Sequence, residues 1–225
     1  MTVNNSFIDM KSAYEGLDLI SEALSFFQDK LILASSLGAE DQVLTHMLVT
    51  ALAKSDYSGK ARIFILDTGR LHSETYEVMA ETAQKYHIEY DVYFPKTEAI
   101  EKMVRSKGIN LFYESIENRR ECCSIRKVEP LNRALSTADA WITGIRKEQS
   151  PTRESFQSVE WDDAHQMIKL NPLLNWTEEM VWDYIKTHDL PYNKLHDQGY
   201  PSIGCAPCTR AVKPGEDARA GRWWW

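Results

Sequence analysis

The chain has 225 residues, 43% of them hydrophobic and 26% charged, and a formal net charge of −7. That length and balance describe a globular unit with a sizeable core, and exclude a disordered tail or a small disulfide-held scaffold. The acidic balance argues against a general affinity for nucleic acid or anionic membranes, no apolar run approaches membrane-spanning length, and residues 1–29 carry no signal pattern, so the expected location is the cytoplasm.

Tyr14, Leu17, Ile20, Leu24 and Phe27 recur at helical spacing and predict an opening amphipathic helix. Leu31 to Ala34 then reads as a strand, Val43 to Leu52 as a helix, Arg62 to Leu66 as a strand and Ser73 to Tyr86 as a helix. Tyr90 to Phe94 supplies a third strand and Glu98 to Lys107 a helix; Ile125 to Leu135 is another helix, and Ala140 to Thr143 a strand ending at Gly144. Strands alternating with helices predict an α/β fold, a mostly parallel sheet with flanking helices and right-handed crossovers. Ser150 to His165 is polar and irregular and reads as a mobile loop. Thr177 is placed to cap a helix running to Thr187, with Glu178 and Glu179 in its first turn. Residues 1–225 read as a single domain, with 171–225 a C-terminal subregion packed on the sheet.

In a parallel sheet, ligands bind outside the carboxyl ends of the strands. Three polar loops fall there. Ser35, Ser36, Leu37, Gly38, Ala39, Glu40 and Asp41 link the first strand to a helix, with Gly38 expected to supply a permissive backbone and the amides to favour a phosphate. No lysine follows the glycine, so this is not the phosphate loop of ordinary ATPases. Asp67, Thr68, Gly69 and Arg70 offer a carboxylate or carbonyl for a ribose or adenine and an arginine for an anion. The loop from Gly144 carries Arg146, Lys147, Gln149 and Arg153, and Arg210, Lys213, Arg219 and Arg222 follow near the end. In a chain of net charge −7 that local excess predicts a small polyanionic ligand.

Cys122 and Cys123 are adjacent, Cys205 and Cys208 form a CxxC, and there are no other cysteines. Four thiolates in two tight pairs fit one metal centre. Zinc sites draw on two CxxC-like turns, which adjacent cysteines match poorly, whereas each thiolate of an iron-sulfur cluster need reach only its own iron. The pattern therefore favours iron-sulfur over zinc, with buried thiols or a redox-active CxxC as the plainer alternatives.

The stretches SSLGAEDQVL, LDTGR, ECCSIRKVEPL, WITGIRKEQSPTR, LPYNKLHDQGYPSIGCAPCTR and GEDARAGRWWW together resemble the assimilatory adenylyl-sulfate reductases of the phosphoadenylyl-sulfate reductase superfamily. The resemblance implies an adenine-nucleotide alpha-hydrolase-like (PP-loop) fold and a [4Fe-4S] cluster on Cys122, Cys123, Cys205 and Cys208. It implies a nucleotide lying across Ser35, Ser36, Gly38 to Asp41, the Asp67 loop and the Gly144 loop, Lys127 between cluster and substrate, and Arg219 and Arg222 at the phosphosulfate. The implied reaction yields sulfite and AMP through an enzyme S-sulfocysteine that thioredoxin reduces. Adenylyl sulfate is the expected substrate, since relatives acting on the 3′-phosphorylated nucleotide usually lack these cysteines; some cluster-bearing members accept both. In the family the nucleophilic cysteine lies in a segment beyond the tryptophans, so it is expected after Trp225.

His196 reads as a hydrogen-bonded structural histidine rather than a general base. Rival readings are an ATP-dependent sulfur-transfer enzyme of the same fold group, whose phosphate loop would read SGGxDS, and a non-catalytic metal-binding sensor. The sequence leaves the oligomeric state open, a homo-oligomer included.

Overall fold

The computed structural model describes residues 7–8, 13–150 and 153–225. Helix α1, Gly16–Phe27, precedes strand β1, Leu31–Ser35. Helix α2, Ala39–Lys54, leads to β2, Ile63–Leu66, and helix α3, Ser73–Tyr86, to β3, Tyr90–Tyr93. Helix α4, Thr97–Lys107, is followed by α5, Ile116–Cys123, a single π-helical turn over Ser124–Val128, and α6, Glu129–Leu135. Strand β4, Ala140–Ile142, the hairpin β5, Val159–Asp162, and β6, Met167–Leu170, and helix α7, Glu178–Thr187, complete the order.

The six strands lie in the order β3-β2-β1-β4-β6-β5. All neighbours pair in parallel except β5 with β6. The chain walks outward from β1 through β2 to β3, then restarts on the other side at β4, which opens a crevice at the carboxyl ends of β1 and β4. Strand β1 is buried on both faces, as a central parallel strand must be: Leu31 and Leu33 join the core under α1, α2 and α7, and Ile32 joins Phe64, Ala134 and Leu135 beneath α6. Each such side chain contributes about 1.5–3 kcal/mol by leaving water.

Two local expectations are corrected. The helix expected to start at Ile125 is the continuation of one that starts at Ile116, capped by the Ser115 hydroxyl, which accepts from the Asn118 amide at 3.1 Å. Cys122 and Cys123 are thus helical residues, and the wide turn falls just before Pro130, whose ring would crowd the Arg126 carbonyl in a regular α-helix. The stretch read as an irregular loop to His165 contains β5, and β6 follows it. Val159 faces the core at 2% exposure while Glu160 faces Lys169, an alternation suited to an edge strand. Asp162 closes the hairpin by accepting from the Ala164 and His165 amides. Pro151 and Thr152, part of the same loop reading, lie outside the described residues. No helix among the described residues is long and apolar enough to cross a membrane.

Candidate active site

The crevice is a cavity of about 490 Å³ bordered by all three strand-end loops. Ser35, Ser36, Gly38, Ala39, Glu40 and Asp41 border it from β1, Thr68 from β2, and Gly144, Arg146, Gln149 and Arg153 from β4. Lys127, Arg219 and Arg222 complete its cationic side. Asp67, Gly69 and Arg70 are not on its wall.

In the first loop the left-handed residue is Leu37, φ 62°, not the expected Gly38, whose φ of −74° any residue adopts. Leu37 is held there by burial at 1% exposure and by its amide donating to the Ser35 hydroxyl at 3.2 Å. Asp41 folds back on its own loop. Its Oδ2 accepts from the Ser36 amide at 2.6 Å and from the Ser36 hydroxyl at 2.7 Å. Burial pushes the Asp41 carboxyl up to about 6; the Ser36 hydrogen bonds oppose that rise and the Glu40 charge adds to it.

The second loop turns at Gly69, φ 69°, with Asp67 Oδ1 accepting from the Gly69 amide at 2.7 Å and both Asp67 oxygens 3.0 Å from the Tyr76 hydroxyl. Arg70 points away from the cavity. It donates to the Ile109 carbonyl and to Asn110 Oδ1, stacks over Phe112, and borders the cysteines instead. This corrects its expected place at the anion.

In the third loop Arg146 is buried and shared: Nε donates to Glu40 at 2.8 Å, and one terminal nitrogen to Glu148 at 2.7 Å and to the Trp176 carbonyl at 3.3 Å. Gln149 also donates to Glu40, and Arg153 donates to Gln149. Arg146 therefore ties β4 to the start of α2. Arg222 donates to the Ser202 hydroxyl and the Ile203 carbonyl while its Nε has no partner. Burial, reinforced by Arg219, lowers the Arg222 guanidinium from its ordinary value, and the nearby cysteines oppose that fall.

All four cysteines are free and border one small pocket of about 20 Å³, together with Arg70, Phe112, Arg119, Arg126, Lys127 and Pro207. Cys122 and Cys123 come from the end of α5. Cys205 and Cys208 bracket a tight turn in which the Cys208 amide donates to the Cys205 carbonyl, anchored by the Ala206 amide donating to the Arg70 carbonyl. The Cys208 thiol is pushed up to about 11 by burial and by the other three cysteines. No group of three or more His, Cys, Asp or Glu side chains among the described residues is arranged to hold a metal ion. Lys127 borders both this pocket and the large cavity. Arg126, which sequence reasoning passed over, is buried and donates to the Thr68 carbonyl at 2.5 Å. Val181, Trp182, Glu178 and His196 also border the cavity, and of these only His196 falls within one of the stretches singled out in the sequence.

A mostly parallel sheet with its crevice at the β1/β4 switch, and Lys127, Arg219 and Arg222 on the cavity wall, defines an α/β protein of the PP-loop alpha-hydrolase type. The chain resembles the phosphoadenylyl-sulfate reductase of Candida auris solved with phosphate, at TM-score 0.76 and 26% identity, over 94% of this chain and 99% of that one. It shares the fold alone with the FMN adenylyltransferase of Candida glabrata, at TM-score 0.62 and 15% identity, over 99% and 78% of the two chains. Residues 30–211 match the phosphoadenosine phosphosulfate reductase domain, and the chain belongs to that family. Proteins named adenosine 5′-phosphosulfate reductase are 49% identical in Burkholderia cepacia, over 96% of this chain and 84% of the relative, and 41% identical in Agrobacterium fabrum, over 100% and 87%.

Proposed function

We propose that this protein is an oxidoreductase of sulfate assimilation that reduces adenylyl sulfate to sulfite and AMP. The observation that carries the reading is Lys127, placed on the wall of both the nucleotide-sized cavity and the four-cysteine pocket, with Arg219 and Arg222 on the same cavity. The relatives' name supplies the substrate; the cations supply the reason it fits, because charge develops on the phosphate as the sulfonyl group leaves.

The four cysteines suit a [4Fe-4S] cluster by donor chemistry: four free thiols from two pairs around one pocket, with Arg70, Arg119, Arg126 and Lys127 at hand to balance the charge of thiolates and sulfides. Cys122, Cys123, Cys205 and Cys208 would hold such a cluster, which would supply a compact anionic centre beside Lys127.

The attacking nucleophile is a cysteine thiolate: it bonds to the sulfonyl sulfur, the sulfur–oxygen bond to phosphate breaks, and AMP departs with the electron pair. One thioredoxin thiolate then attacks the cysteine sulfur, sulfite leaves, and the second thioredoxin thiol closes its disulfide and returns the enzyme thiol. Thioredoxin is thus the two-electron donor, and the cytoplasm the compartment that keeps it reduced.

Iron and acid-labile sulfide analysis of anaerobically prepared protein, with calorimetric titration of AMP, tests the reading. About four irons per chain and binding of AMP are expected. Protein holding zinc alone, or indifferent to AMP, would sink it.

A further inference from the structure

Trp223 borders neither the large cavity nor the four-cysteine pocket, yet it touches a cation of each. The guanidinium carbon of Arg222, which borders the cavity, lies 5.4 Å from the centre of the Trp223 ring. That of Arg119, which borders the cysteines, lies 4.6 Å from the same ring. Neither arginine has a carboxylate partner among the described residues. A cation over an indole is attracted by the negative face of the ring, most strongly where water is kept out. Trp223 is half-buried, whereas its neighbours Trp224 and Trp225 are 50% and 42% exposed.

The segment that carries the ring is pinned to the chain just after the second cysteine pair. The Trp223 amide donates to the Cys208 carbonyl at 3.1 Å and the Arg210 amide to the Gly221 carbonyl at 3.0 Å, beside a bridge between Thr209 and Arg222. These bonds hold Trp223 in the left-handed region, φ 51°, which L side chains seldom adopt. The Arg222 head is bounded as closely. Its Nη1 donates to the Ser202 hydroxyl at 3.0 Å and to the Ile203 carbonyl at 3.2 Å. A Cβ on Gly204 would stand 2.5 Å from Nη2 and 2.7 Å from the guanidinium carbon, so the group rests against bare backbone there. Two acceptors on one nitrogen fix one corner of a planar group; the Gly204 contact and the Trp223 ring fix how it is turned.

We propose that Trp223 is a positioning residue for the reaction, whose indole holds the Arg222 guanidinium on the cavity wall for the anionic part of the nucleotide. Trp223 acts through Arg222 and meets no ligand itself, while Arg119 braces the same ring beside the cysteines. This rests on the adenylyl-sulfate reading, which puts an anion in the cavity.

Calorimetric titration of the full chain with AMP, over a cycle of variants at Trp223 and Arg222, tests this. Trp223→Leu removes the aromatic face and should weaken AMP about fivefold, and Trp223→Phe, which keeps a face, should recover part of that loss. In an Arg222→Gln background the same Trp223→Leu change should weaken AMP by less than about twofold, because no guanidinium is left to hold. A general loosening of the chain would instead weaken AMP equally in both backgrounds. Trp223→Phe is carried through the same cycle, so the comparison stands even where the leucine variant does not fold. If wild type binds AMP but the Trp223 variants bind it as well as wild type, or lose as much without Arg222 as with it, this proposal is overturned while the adenylyl-sulfate reading stands. Wild type that does not bind AMP overturns both.

Discussion

The Thr68 hydroxyl lies 3.2 Å from Cys205 Sγ, while Thr68 itself borders the large cavity. One side chain thus spans from the substrate side of β2 to the second cysteine pair. Thr68 also accepts the Arg70 amide on Oγ1 and the Arg126 guanidinium on its carbonyl. Thr68→Val keeps the shape and removes the hydroxyl, stranding the Arg70 amide. The expected loss is about 1–3 kcal/mol of stability, a fall in melting temperature of several degrees by scanning calorimetry. An unshifted melting curve would discount the contact.

Cys123→Ser and Cys205→Ser each break a different pair. Either change alone should remove most of the iron and sulfide from anaerobically purified protein, because a four-thiolate centre fails when one corner is lost. A retained iron-to-protein ratio in either variant would show that the affected pair is not a ligand.

Glu40 is 19% exposed and its partner Arg146 only 6%. Glu40→Ala leaves that guanidinium with Glu148 and the Trp176 carbonyl alone, and removes the acceptor of Gln149. Destabilisation of about 3 kcal/mol is expected from urea denaturation. A change within error would mean that solvent replaces the carboxylate.

Gly144 has no room for a side chain. A Cβ there would stand 2.5 Å from Asp41 Oδ1 and 3.0 Å from Glu40 Cβ, so Gly144→Ala must push the β4 loop away from the start of α2. AMP affinity should fall at least tenfold or so, since the two loops face each other across the crevice. Undiminished affinity would place the nucleotide elsewhere.

Asp41 supplies a pH signature. A carboxyl whose native value is raised keeps its proton longer when folded, so its contribution is complete below the unfolded value of 3.8 and is lost as pH rises through about 6. Relative to Asp41→Asn, wild type should lose roughly 2–3 kcal/mol of stability between about pH 4 and pH 7. Stability curves that stay parallel over that range would contradict the raised value.

Hydrophobic runs such as Leu31–Leu33 and Ile63–Ile65 declare buried central strands without help, because both faces must be apolar. The hairpin β5–β6 stayed hidden since an edge strand needs only alternate burial, and Val159 with Trp161 is a short signal among charges. Loop positions were legible; side-chain direction was not. Arg70 and Arg146 sit in the expected loops, but packing of Phe112 and pairing with Glu40 decide where their charges go.

The wider turn at Ser124–Val128 sets the phase between two functional groups on one rod, with Cys122 and Cys123 before it and Lys127 within it. Deleting one residue there would convert the wide turn into an ordinary helical one and shift Lys127 relative to the thiols, without altering the chemistry of any group. For this segment the number of residues, more than their chemistry, holds the thiols and Lys127 in register.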